Sequence, residues 1–235
     1  MSYKLIHGDC LEVMPTLENG SVDMILADIP YGEVNRASAG IRILNKGNAD
    51  IETFNLNFVI KHSVRLAKSI YIFCGIEQVS KLRKGFVDCG LSTRLLIWEK
   101  TNPTPLNGEY LWLSSIECCV FARKSGAIFN EHCHSSVFRG VTEKDQLHPT
   151  QKPLWLMRKL IRASTNANGT VLDFCTGSGS TIVAAIQEGR RAIGIEQDAG
   201  YFQIAQKRCE EATYQPSLFA PQPTQWQPVA MFGDD

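Results

Sequence analysis

Residues 170–196 read TVLDFCTGSGSTIVAAIQEGRRAIGIE. Thr170 to Phe174 is an apolar run of strand character, Gly177-Ser178-Gly179 a tight turn, Thr181 to Gln187 a helical stretch, and Ala192 to Ile195 a second strand. A strand that passes through a glycine turn into a helix and returns as a strand is a βαβ unit, so the sheet is largely parallel. Glycines suit this turn because a Cβ would keep a ligand away from the backbone amides. Glu196, 19 positions after Gly177, closes the second strand, where an acid can accept hydrogen bonds from both hydroxyls of a ribose. That much fits a dinucleotide enzyme equally well. Asp173 weighs against a dinucleotide, because a carboxylate just before the turn repels a pyrophosphate but can pair with a cationic amino group.

The same alternation extends towards the N-terminus. Tyr3 to His7 reads as a strand ending at Gly8-Asp9, and Leu11 to Leu17 as a helix. Val22 to Ala27 is a nearly unbroken apolar run, as a strand buried on both faces requires, and it stops at Asp28-Ile29-Pro30-Tyr31-Gly32. Residues 33–53 and 125–147 are polar and aperiodic and read as long loops. Between them come a helix near 55–68, a strand Ile70 to Phe73, a helix near Glu77 to Lys84, and strands Arg94 to Trp98 and Glu117 to Ala122, a candidate antiparallel pair. A helix from Leu154 to Thr165 follows Pro153, which suits its first turn. Gly200 to Ala212 is the last helix. The reading is one α/β domain over 1–213 and a flexible Gln- and Pro-rich tail over 214–235.

Composition narrows the function. Lys plus Arg equals Asp plus Glu at 24 each, so there is no global positive field and any nucleic-acid contact must rest on local basic patches. The eight cysteines form no CxxC pair, and reduced thiols of a cytoplasmic protein are the expectation. His132-Cys133-His134 lacks a second ligand pair at metal-site spacing, so no metal is expected. The N-terminus has no apolar signal core, and no apolar run approaches the roughly 20 residues needed to cross a bilayer.

Asp28-Ile29-Pro30-Tyr31 stands where a strand ends, the place where open α/β sheets bind ligands. An amino group on a nucleobase is a poor nucleophile because its lone pair is delocalised into the ring. Two acceptors aimed at its N–H groups free that lone pair and stabilise the positive charge that develops. The Asp28 carboxylate and the Ile29 carbonyl can supply them, and Tyr31 offers a ring face for stacking an extruded base. With this stretch early, His148-Pro149-Thr150-Gln151-Lys152-Pro153 next and the glycine turn late, the chain resembles the β group of DNA amino-methyltransferases, whose signature is Asp-Pro-Pro-Tyr followed by the glycine motif. The likeness spans roughly residues 3–212. It implies a Rossmann-like, mostly parallel seven-stranded sheet with helices on both faces, S-adenosylmethionine as cofactor, and methyl transfer to a flipped base of double-stranded DNA. Asp rather than Ser at position 28 points to adenine N6 within this family. Cytosine C5 chemistry is disfavoured, since it needs a cysteine nucleophile, generally in a Pro-Cys dipeptide, which this chain lacks.

The resemblance also implies the site. The catalytic set is Asp28, Ile29, Pro30 and Tyr31. The cofactor set is Asp9, Cys10, Asp28, Thr150, Gln151, Lys152, Asp173, Phe174, Cys175, Gly177, Ser178, Gly179, Ser180, Thr181, Glu196 and Gln197, with Asp9 at the adenine and Thr150 to Lys152 over the methionine end. Ile29 departs from the family's usual proline, but its proposed role belongs to a carbonyl that any residue has. Cys175 and Thr176 replace a more common Pro-Phe, and Cys10 and Cys175 also read as small packing residues. Arg36, Arg42, Lys46, Lys100, Asn102, Arg139 and Lys144 are the candidate DNA contacts, although any one of them taken singly reads more readily as solvated surface. Both loops, although long as connections, are small for a recognition region, so a short target and help from a second subunit are expected. Gln215-Pro216-Ser217-Leu218-Phe219 resembles a motif that docks on the replication sliding clamp, with Gln215, Leu218 and Phe219 as its anchors. Other readings are an N4-cytosine or RNA amino-methyltransferase, a nicotinamide-dependent oxidoreductase, and a non-catalytic DNA-binding protein.

Overall fold

A computed structural model describes residues 2–31, 55–103, 109–142 and 151–214. Its strands are β1 (Tyr3–His7), β2 (Met24–Asp28), β3 (Ser69–Cys74), β4 (Ser92–Lys100), β5 (Ile116–Arg123), β6 (Val137–Gly140), β7 (Thr170–Asp173) and β8 (Arg191–Glu196). The helices are α1 (Cys10–Thr16), α2 (Leu56–Leu66), α3 (Val79–Asp88), α4 (Leu154–Ser164), α5 (Ser180–Gln187) and α6 (Ala199–Tyr214), and a single 3-10 turn, Ile76–Gln78, leads into α3. The strands form one sheet in the order β1-β8-β7-β2-β3-β5-β4-β6. All neighbours run parallel except at β5, which is antiparallel to both β3 and β4.

The sheet is a strand wider than the seven expected. The extra strand is β6, which lies inside 125–147, a stretch read as irregular. Its four residues, Val-Phe-Arg-Gly, are only partly covered, so they lack the apolar run of a central strand. They become a strand by pairing with β4 from Ile97↔Val137 to Lys100↔Gly140. At the other end, α6 continues to Tyr214, one residue into the stretch read as tail.

Period-2 alternation divides the strands between two cores. Ile25, Ala27, Ile70, Ile72, Val120 and Leu172 pack towards α1, α2 and α3. Met24, Leu26, Tyr71, Phe73, Leu96, Trp98 and Phe121 face the side of α4, α5 and α6, against Leu156, Leu160, Ile161 and Ile182 to Ala185. Each such fully buried side chain contributes about 1.5–3 kcal/mol, which fixes strand register because a slip of one residue would exchange the two faces. Packing is close at Gly194 on β8. A Cβ there would stand 2.6 Å from Leu5 Cδ2 and 2.8 Å from Thr176 Oγ1.

Gly194→Ala is accordingly expected to lower the unfolding free energy by about 1–3 kcal/mol through overpacking. A urea midpoint equal to that of the parent would contradict this account of the β8 packing.

Candidate active site

β1, β8, β7, β2 and β3 are parallel and end at one edge with His7, Glu196, Asp173, Asp28 and Cys74. Late strand β7 lies directly beside early strand β2, with Met24↔Val171 and Ile25↔Leu172 in register. The two motifs, 145 positions apart between Asp28 and Asp173, therefore meet.

The glycine turn leaves its backbone open on one side. Gly177 and Gly179 have φ of +53° and +87°, values that L side chains seldom adopt. At Gly179 a Cβ would also press on Ala205 at 3.1 Å, whereas beside Gly177 no atom comes within 4 Å of that position, so the backbone there borders open space. Glu196 shapes the turn by accepting from the amides of Gly177 at 2.7 Å and Asp198 at 2.8 Å. Arg208 of α6 fastens the turn from behind through the Ser178 carbonyl at 2.5 Å and the Ser180 hydroxyl at 3.3 Å. Asp173 is buried and accepts from the Cys175 amide at 3.0 Å. Burial pushes its carboxyl up to about 7, opposed by hydrogen bonds from Thr181 and Cys175 and reinforced by Asp28 and Glu196.

Asp28 anchors the second half of the site. Its Oδ1 accepts from the Tyr31 hydroxyl at 3.0 Å, and its Oδ2 lies 2.5 Å from Lys152 Nζ. Lys152 is only 4% exposed and also meets Glu117 Oε2 at 2.9 Å, and Glu117 Oε1 is bound by Lys100 Nζ at 2.6 Å. Opposite charges thus alternate along Asp28, Lys152, Glu117 and Lys100. Burial raises the Asp28 carboxyl above the usual range, while Lys152 pulls it back. For Lys152, burial works downward, but Asp28 and Glu117 outweigh it and the net shift is upward. For Glu117, burial works upward and is overcome by the two lysines, so its carboxyl is held low. The ammonium also lies 5.5 Å from the centre of the Tyr31 ring and 5.3 Å from that of Phe73.

The backbone of this loop is fixed as well. The Ile29 amide donates to the Phe73 carbonyl at 3.1 Å, a bond that a proline nitrogen cannot make, and the Ile29 side chain is 2% exposed in the core. The departure from Asp-Pro-Pro-Tyr thus replaces a rigid ring with a ladder bond and a buried anchor. Gln78 donates to the Pro30 carbonyl at 3.0 Å and accepts from the Gly75 amide at 2.9 Å.

The structure gathers Asp9, Cys10, Asp28 to Tyr31, Gln151, Lys152, Asp173 to Cys175, Gly177 to Thr181, Glu196 and Gln197 around this edge. Within the set, Asp9 caps α1 through the Leu11 amide at 2.8 Å, and the Gln197 carbonyl lies 3.1 Å from His7 Nε2. Gln151 Oε1 sits 3.4 Å from the Ser178 hydroxyl. Phe174 and Cys10 are buried, and Cys175 packs against the same core, which favours their packing role. Among the basic candidates, Lys100 pairs with Glu117, Arg139 with Glu99 at 2.7 Å, and Asn102 brackets Thr142 with bonds of 2.7 and 3.2 Å. Thr150, Arg36, Arg42, Lys46, Lys144 and the tail with Gln215, Leu218 and Phe219 lie outside the described residues. Glu117 and Gln78 escaped the sequence reading. For Glu117 a signal was present, an acid at the start of the otherwise apolar run Cys118 to Ala122. Among the described residues there is no cluster of His, Cys, Asp and Glu able to hold a metal, and no helix is long and apolar enough to cross a membrane. A separate cleft of about 840 Å³ opens at the opposite sheet edge, over Tyr71, Arg94, Phe121 and Phe129, and holds none of these residues.

Comparison with known proteins places this geometry. The DNA methylase family of N6 and N4 amino-methyltransferases matches residues 22–207. The Type II methyltransferase M2.DpnII of Streptococcus pneumoniae is 28% identical over 88% of this chain and 89% of its own length. The putative methylase YubD of Escherichia coli K12 is 31% identical over 87% and 89%. Among solved structures, the M1.HpyAVI complex with S-adenosylmethionine superposes with a TM-score of 0.68 at 27% identity, covering 88% of this chain and 99% of that one. The cytosine-N4-specific PvuII DNA methyltransferase, at 14% identity and a TM-score of 0.67 over 91% of each chain, shares the fold.

Replacing Lys152 with Met leaves Asp28 and Glu117 without their shared cation, and an expected loss of about 3–5 kcal/mol follows. Both carboxyls would then titrate higher than in the parent, so the variant's deficit should be largest near pH 8 and shrink as pH falls and they protonate. Urea unfolding at pH 5 and pH 8 with the same deficit would rule this out.

Proposed function

The chain belongs to the DNA methylase family of S-adenosylmethionine-dependent methyltransferases, and from that premise we propose that it methylates N6 of an adenine extruded from double-stranded DNA. The observation that carries the reading is the convergence of Asp28 with Asp173 and Glu196 on one sheet edge, near enough for Asp28 to raise the Asp173 pKa. Aspartate at position 28 favours adenine over cytosine.

When bound, S-adenosylmethionine supplies an electrophilic methyl group on a sulfonium. The residues present fit it. Glu196 would accept from the ribose hydroxyls, the open backbone at Gly177 would admit close approach, and Asp173 would pair with the α-ammonium. Asp9 and Cys10 would border the adenine, and Phe174, Cys175, Ser178, Gly179, Ser180, Thr181 and Gln197 would complete the wall, with Gln151 towards the methionine end; Thr150 is assigned there from the motif alone. Lys152 serves Asp28 more directly than the cofactor, as its 2.5 Å ion pair indicates. Asp28 accepts one amine N–H of the target base and the Ile29 carbonyl the other, so the lone pair is freed for attack. Asp28 then takes the proton that the methylated amine must release. Its carboxyl, lifted by burial, is a better base for this than a solvated one, and Lys152 still favours the ionised form. Tyr31 stacks on the base, a contact worth about 1–3 kcal/mol, while its hydroxyl steadies Asp28. Pro30 is fixed through Gln78.

DNA is the substrate. A homodimer, docking on a sliding clamp through Gln215, Leu218 and Phe219, and backbone contacts from Arg36, Arg42, Lys46, Lys144, Asn102, Lys100 and Arg139 are part of the same proposal. An N4-cytosine specificity falls within the same family and shares the PvuII fold, but Asp28 favours adenine.

Purified protein is expected to transfer labelled methyl groups from S-adenosylmethionine to unmethylated DNA. Asp28→Ala should abolish transfer and leave cofactor binding largely intact, and undiminished turnover in that variant would remove Asp28 from the mechanism. A second expectation concerns pH. An ionised Asp173 is the form that binds the α-ammonium, and without ligand it protonates near pH 7, so cofactor affinity should fall about tenfold per pH unit below that value and level off above it. Calorimetric titration that finds one affinity from pH 5.5 to 8 would sink this pairing.

A further inference from the structure

Tyr110, Leu111 and Trp112 are 81%, 67% and 99% exposed, and Leu113 continues the run at 40%. None of the four belongs to either hydrophobic core. They sit in the connection between β4 and β5, whose ends are tied where the Lys100 amide donates to the Ser115 carbonyl at 2.7 Å. Two residues further on, Glu117 reaches Lys152 and, through it, Asp28. This apolar arm therefore stands at the rim of the active edge. Neighbouring tyrosine and tryptophan side chains left in water beside a site mark a surface with a partner.

We propose that residues 110–112 form a wedge that enters the DNA duplex where the target nucleotide leaves it, with the Trp112 indole filling the gap in the base stack. This rests on the reading of the enzyme as a base-extruding DNA methyltransferase. Extrusion breaks two stacking contacts in the duplex, and a planar apolar side chain of similar size restores them. Aromatic stacking on bases is tolerant of sequence because every base has a π-face, so the wedge acts whatever the target. An interface between copies of the chain uses about 20–30 residues a side, far more than this arm offers, whereas a single step in a duplex accepts one or two side chains.

The test compares the full-length protein with W112A and W112F on a short synthetic duplex that is intact or carries one abasic site, and on unmethylated plasmid DNA. The parent should bind the abasic duplex at least about fivefold more tightly than the intact one. W112A should lose that preference and transfer methyl groups at least about fivefold more slowly, with unchanged cofactor affinity and thermal unfolding, while W112F retains most of both. A W112A protein that keeps the preference and the rate overturns the wedge, as does a change of oligomeric state on sedimentation, which would assign the arm to a second copy. Should the parent fail to methylate plasmid DNA, the functional reading fails by itself, and the duplex comparison still decides the wedge.

Discussion

A lysine almost wholly removed from water holds two carboxylates, Asp28 and Glu117, that would otherwise repel each other. Three elements meet in that contact: the end of β2, the start of β5, and the approach to α4. Its value lies less in net stability, since ion pairs lose in desolvation much of what they gain in attraction, than in placement. A solvated aspartate samples several rotamers, whereas one held by Lys152 and Tyr31 presents its oxygens in a single arrangement. The same contact sets charge, because an adjacent ammonium keeps a buried acid available in its ionised form.

Topology supplies what side chains alone could not. The glycine turn and Asp28 are distant in sequence, and they come together because β7 inserts between β8 and β2. Five parallel strands then deliver their last residues to one edge, so Glu196, Asp173 and Asp28 form a row. Secondary structure brings each of these to the surface at a strand terminus. Core packing on both faces holds the row in register.

Features set by local chain chemistry were legible in the sequence. The glycine turn, the strand before it and the acid nineteen positions on depend on nearest neighbours and on period, and Asp28 to Tyr31 stood out as a polar stop on an apolar run. What was hidden depends on distant partners. β6 is short and half covered, and its strand geometry comes from pairing with β4. Glu117 looked like the edge of a strand, and only the arrival of Lys152 makes it part of a site. Gln78 resembled any polar residue at a helix start, although its amide bridges two loops. The basic side chains were visible as charges, but sequence could not tell that Lys100 and Arg139 each face an internal acid.

The single reversed strand has a consequence for how this enzyme can vary. Because β5 travels against its neighbours, its first residues, and not its last, arrive at the catalytic rim, and the amide-to-carbonyl clasp between Lys100 and Ser115 closes the excursion that precedes them. On the near side of that clasp, Thr101 and Asn102 are held to Gly140 and Thr142, while Tyr110 to Leu113 stay outside both cores. Lengthening such a loop costs little, about 0.6 kcal/mol for each doubling, and leaves the acid on the far side of the clasp where it was. Changes in that connection can therefore accumulate without displacing Glu117 from Lys152.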